Sequence, residues 1–166
     1  MDDRAVVARQ LGREPRAFLR VTVRCPFGCP AVTEQAPYDR NGEPFPTTYY
    51  LTCPHLVAAV SRLEAAGGVE RWSRAVASDP SLAASLGLAN DEQRSVRERL
   101  AAGQVGGDGG ASLALGVGGA ARHGSLKCLH AHAAYALARP GYLLGDRILA
   151  ELEPLWPPDR CCTAMS

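Results

Sequence analysis

The hydrophobic period of this chain changes at one point, Cys53-Pro54, and that change limits what it can become. Before it, apolar and polar residues alternate. Leu19, Val21 and Val23 interleave with Phe18, Arg20, Thr22 and Arg24, a period of two that predicts a half-buried strand over 18–24. Pro26-Phe27-Gly28-Cys29-Pro30 forces a turn, and residues 31–35 offer a second short strand. Asn41-Gly42 marks a tight turn, Pro44 and Pro46 stiffen the next few residues, and 47–52, with Tyr49, Tyr50 and Leu51, has strong strand propensity. Only residues 2–12 read as helix in this half, with Val6, Val7 and Leu11 as a partial apolar stripe and Gly12 as the stop.

After the change the spacing is helical. Pro54 suits a first helical position, and Leu56, Val60 and Leu63 recur until Gly67-Gly68. Asp79-Pro80 caps and opens a helix carrying Leu82 and Leu86, and Asn90-Asp91-Glu92 starts another that Gly103 closes. Nine glycines between 103 and 124 predict a loop that is flexible or ordered by a ligand. Ser125 is expected to cap a helix over 126–138, broken by Arg139-Pro140-Gly141, and 146–152 gives a last helix before Pro154. The expected architecture is α+β: a small antiparallel sheet from the N-terminal half packed by C-terminal helices. It forms a single domain over 1–153, with 154–166 as a frayed tail. A chain of 166 residues suffices for one such core.

Lys and Arg number 18 against 17 Asp and Glu, so no global field attracts nucleic acid, and none is expected as a partner. Six arginines crowd residues 1–24, a local excess that reads as a solvated basic face. No run of about 18 uncharged apolar residues occurs, so no membrane span is expected. The start Met1-Asp2-Asp3-Arg4 lacks the basic-then-apolar layout of a secretion signal, which points to the cytoplasm. There six cysteines do not make a disulfide framework.

Three of those thiols have distinctive settings. Cys25 ends a strand, Cys53 stands where a strand hands over to a helix, and Cys128 falls in the first turn of its expected helix. Cys53 and Cys128 would face positive helix ends, which lower a thiol pKa and favour the thiolate that ligates metals. Cys128 and His132, four apart, would share a helix face, whereas His130 lies about 200° around from Cys128. Cys25, Cys53 and Cys128 with His132 or His55 as fourth ligand would suit zinc, and three thiolates would equally suit an iron–sulfur cluster. Two other readings compete: plain burial of small apolar side chains, and a nucleophilic Cys53 or Cys128 with His55 or His132 as base. The Cys161-Cys162 pair, in a short polar terminus, is expected to have no role. The glycine-rich stretch does not match a phosphate-binding loop, since Ser125-Leu126-Lys127 inverts the required order. Arg122, His123 and Lys127, the only lysine, could still hold a phosphate.

Several segments together resemble one bacterial family. They are Val7-Ala8-Arg9-Gln10-Leu11-Gly12-Arg13, Arg24-Cys25-Pro26-Phe27-Gly28, Pro44-Phe45-Pro46-Thr47, Tyr50-Leu51-Thr52-Cys53-Pro54 and Lys127-Cys128-Leu129-His130-Ala131-His132. The chain is similar over about 5–150 to domain-of-unknown-function family 501. Cys25, Cys53, Lys127, Cys128 and His130 fall on its motif positions, and Cys29 does not. Tyr142-Leu143-Leu144-Gly145 departs from the Asn-Pro-x-Gly-like segment often found there. The resemblance implies a small cytoplasmic protein, often encoded near a septum-formation initiator and an exopolyphosphatase, but no activity. The leading expectation is a metal-binding protein whose site is structural. One alternative is an enzyme or regulator of a phosphorylated ligand held by Arg122, Lys127, His130 and the glycine loop. The other is a non-catalytic module binding a cell-division protein.

Overall fold

The computed structural model describes residues 2–122 and 124–165. Its architecture is α+β, a single domain with the sheet in the N-terminal third and helices packed against it. Helix α1 (Asp3–Leu11) is capped by the Asp2 carboxylate, which accepts from the Arg4 N–H, and ends at Gly12. Strands β1 (Phe18–Arg24), β2 (Pro30–Gln35) and β3 (Tyr49–Leu51) form an antiparallel sheet in that order. Every residue of the central β2 is buried. The β1–β2 register runs from Phe18 opposite Gln35 to Arg24 opposite Pro30, with irregularities that bend the hairpin.

Six helices follow the expected order with four differences. Helix α2 (Pro54–Ala65) begins on proline as anticipated, but residues 68–78 form a helix not anticipated, α3 (Gly68–Ser78), which buries Trp72 and Val76. The two helices expected after Asp79 are one, α4 (Pro80–Ala101). Asn90 does not cap a new start. Its side-chain oxygen instead accepts from the Val117 N–H at 2.9 Å, a tertiary bond that leaves the helix unbroken. Helix α5 (Leu129–Ala138) starts three residues later than expected, because Glu64 of α2 accepts the Leu129 N–H at 2.6 Å and closes the N-terminus there. Helix α6 (Leu143–Ala150) completes the set, starting three residues before the expected 146 and ending two before the expected 152.

Helix α5 is the centre of the fold. Seven of its ten residues are buried, so it is apolar on nearly every side and must be covered all round. β3, α2 and α6 supply that cover. Gly145 of α6 lets the last approach closely: a Cβ there would lie 2.6 Å from Ala136 Cβ. The glycine-rich stretch contains two short 3-10 turns, Ala111–Ala114 and Val117–Gly119, tied to α4 by side chains. Besides Asn90, Gln93 donates to the carbonyl of Gly116, and Arg97 donates to that of Ser112 at 3.2 Å. The tail expected to fray folds back instead: Leu155, Trp156 and Cys162 pack on the core and Cys161 is buried. Among the described residues, no helix is long and apolar enough to cross a membrane.

Candidate metal centre

The β1–β2 turn brings the first two thiols together. Cys25 and Cys29 close it: the Cys25 N–H donates to the Cys29 carbonyl, and the Gly28 N–H to the Cys25 carbonyl, both at 2.9 Å. Proline at the second turn position and Gly28 at φ 84° suit the reversal. The third thiol comes from the opposite end of the chain. Cys161, 136 positions beyond Cys25, places its Sγ 3.8 Å from Cys25 Sγ. The sulfurs of Cys25, Cys29 and Cys161 all lie within 4.8 Å of one another. Among the described residues, this is the group of three or more Cys, His, Asp or Glu ligand atoms close enough to hold a metal ion.

The thiols of this group influence one another. Hydrogen bonding to Cys161, then burial and the charge of its neighbours, pushes the Cys29 thiol up to about 12. Burial opposes ionisation of Cys161 too, but hydrogen bonds from Cys29, Thr163 and Cys25 outweigh it and hold that thiol down to about 7. Three sulfurs sharing a small volume thus favour one thiolate and resist a second, the repulsion that a divalent cation removes.

The other expected ligands lie elsewhere. Cys53 does not join Cys25; its Sγ is 3.6 Å from Cys162 Sγ, so the adjacent tail cysteines serve two neighbouring thiol groups. The Cys53 thiol is pushed up to about 12 by burial, although the N–H groups of Leu56 and His55 at the start of α2 pull it down. The Cys128 thiol is likewise raised, by burial first, against the N–H groups of Ala131 and His130. The expected lowering by helix N-termini is present at both sites, and desolvation overrides it. Cys128 is the N-cap of α5 rather than a first-turn residue and lines a cleft, whereas His132 bonds Tyr142. His132 is fully buried, with Nδ1 2.8 Å from the Tyr142 hydroxyl. His55 Nε2 lies 3.2 Å from the Pro154 carbonyl oxygen.

Cys128 instead lines a cleft with His130. The His130 Nδ1 is 3.1 Å from Glu64 Oε1 and its Nε2 is 3.3 Å from Ser61 Oγ. Arg122 and Lys127 are exposed and do not line that cleft, and His123 lies outside the described residues. Sequence reasoning missed Cys29 and Cys161. A Cys-x3-Cys pair bracketing Pro-Phe-Gly is the signal that could have revealed Cys29, because a hairpin turn closes on its flanking residues. Nothing local marks Cys161.

The chain belongs to the family described as proteins of unknown function, DUF501, whose profile matches residues 21–150. The matched region contains Cys25 and Cys29 but ends before Cys161. No curated protein and no solved structure matches the chain.

Proposed function

We propose that this protein binds a single zinc ion through Cys25, Cys29 and Cys161, and that the ion fastens the C-terminal segment to the β1–β2 hairpin. The convergence of three thiols within 4.8 Å carries this reading. Zinc–sulfur bonds of about 2.3 Å in a tetrahedron put sulfurs about 3.8 Å apart, and the Cys25–Cys161 separation is 3.8 Å. An iron–sulfur cluster inserts irons and bridging sulfides between its cysteines and needs a wider spread. The spacing therefore supports one ion. The fourth position falls to water, since Cys162 pairs with Cys53 instead. A structural role follows from the topology: the ligands join a tight turn to a distant segment, the arrangement in which a crosslink restricts the unfolded chain most.

The test is metal analysis of protein purified under reducing conditions without added metal. One zinc per chain is expected, in a colourless preparation free of iron. Cys161→Ser should lose most of the zinc, whereas Cys128→Ser should keep it. A chelator should lower the melting temperature of the wild type and leave Cys161→Ser unmoved. A well-folded, metal-free protein that takes up no zinc at micromolar concentrations overturns the proposal.

A further inference from the structure

The C-terminal segment brings a second pair of thiols together, beside the metal centre but not part of it. Cys162 Sγ lies 3.6 Å from Cys53 Sγ, 109 positions away. Cys53 is the buried N-cap of α2, and its backbone is fixed on both sides. Its N–H donates to the Ala31 carbonyl, and its own carbonyl accepts from the Val57 N–H. Cys162 opens a short 3-10 turn, Cys162–Met165, and is only half-buried. One thiol is thus anchored in the frame and the other is within reach of solvent. Among the described residues, no third Cys, His, Asp or Glu joins this pair in a group able to hold a metal ion. His55, two residues on from Cys53, faces the Pro154 carbonyl instead. Two thiols without further ligands do not make a zinc site. Two thiols in contact can, however, give up two electrons together. A disulfide holds its sulfurs at about 2.05 Å, so closure takes up about 1.5 Å of the present separation.

We propose that Cys53 and Cys162 are a site of reversible oxidation by a peroxide, closing a disulfide that ties the C-terminal segment to the start of α2. The first step falls on Cys162, the sulfur nearer to solvent. It attacks hydrogen peroxide, the O–O bond breaks, and a sulfenic acid forms with release of water. Cys53 then attacks that sulfur: the S–S bond forms, the S–O bond breaks, and the Cys53 proton leaves with the hydroxyl as a second water. Two thiols and one peroxide give one disulfide, two electrons passing from sulfur to oxygen. Burial disfavours the Cys53 thiolate and slows the second step, while contact with the partner sulfur replaces a diffusional encounter. The N–H groups of Leu56 and His55 that bond the Cys53 sulfur support the charge developing there as its proton departs. Zinc is not required, because Cys161 and not Cys162 belongs to the metal centre.

The full chain, reduced and then treated with one equivalent of hydrogen peroxide, should lose two hydrogens by intact mass, and a dithiol reductant should restore them. Alkylation of the remaining thiols followed by proteolysis should yield a crosslinked peptide joining Cys53 to Cys162, a readout that needs no variant. Cys162→Ser, at a half-buried position, should melt as the reduced wild type does and yield no such peptide. In that variant the Cys53 thiol should disappear at least tenfold more slowly under peroxide. Cys161→Ser should close the Cys53–Cys162 pair as the wild type does. A folded wild type whose Cys53 is still free once the peroxide is consumed overturns the proposal, as does a crosslink joining Cys162 to any other thiol. The two readings of the cysteines fail separately. A zinc-free wild type that yields the Cys53–Cys162 peptide overturns the metal centre and supports the redox pair, and a zinc-loaded chain with Cys53 unpaired does the reverse.

Discussion

Acidification should destabilise this fold through one histidine. His132 lies wholly inside the α5–α6 packing, with Nδ1 on the Tyr142 hydroxyl and Nε2 buried without a partner. Burial lowers its pKa from 6.5 to about 4. Between those values the unfolded chain takes up a proton that the native state refuses. Stability is therefore fully present above about pH 6.5 and falls as the pH drops toward 4. At about 1.4 kcal/mol per pH unit the loss reaches about 2 kcal/mol at pH 5 and about 3 kcal/mol at pH 4. The first figure corresponds to a melting-temperature drop of about 4–8 °C for a chain of this size. Urea denaturation of the wild type and His132→Asn at pH 7.5 and 5.0 measures it. Asparagine keeps a polar atom near the Tyr142 hydroxyl but does not titrate, so the variant should be less stable at both pH values and have a smaller difference between them. An equal pH dependence in the two proteins would refute the assignment.

Three further outcomes test the packing. Arg97 is fully buried, forms no ion pair among the described residues, and donates to the carbonyls of Phe45 and Ser112. Arg97→Ala should cost about 2–5 kcal/mol by chemical denaturation, through the cavity it leaves and the carbonyls it strands, while Arg97→Met, which keeps the volume and buries no charge, should cost clearly less. A Cβ at Gly145 would meet a Tyr142 ring carbon at 2.5 Å and Ala136 Cβ at 2.6 Å. Gly145→Ala should thus cost about 1–3 kcal/mol, with part regained on adding Ala136→Gly; an unchanged melting curve would mean the helices do not approach this closely. Asp79 caps α4 by accepting from the Ser81 and Leu82 N–H groups, so Asp79→Ala should cost about 1 kcal/mol, seen as a shift in the denaturation midpoint at constant slope.

The elements were legible where periodicity and local chemistry agree with the packed state. The alternation over 18–24 became β1, and Pro54 and Asp79-Pro80 stand at true helix starts. The errors lie where a long-range contact replaces a local signal. Asn90 has the chemistry of a cap, but Val117 claims its oxygen; Ser125 has it too, but Glu64, from another helix, sets the start of α5. The thiols obey the same rule. That helix N-termini lower the pKa of Cys53 and Cys128 was correct as local electrostatics, yet burial outweighs it.

The amino-acid order alone determined the class of fold, with one helix and the strands before Cys53 and the other helices after, and the closeness of Cys25 to Cys29 across a five-residue turn. A hydrophobic period and a turn depend only on neighbours along the chain. Which third sulfur meets that pair was decided by tertiary structure. Cys161 reaches Cys25 from 136 positions away because the C-terminal segment packs back over the core, and no interaction within either segment encodes that return.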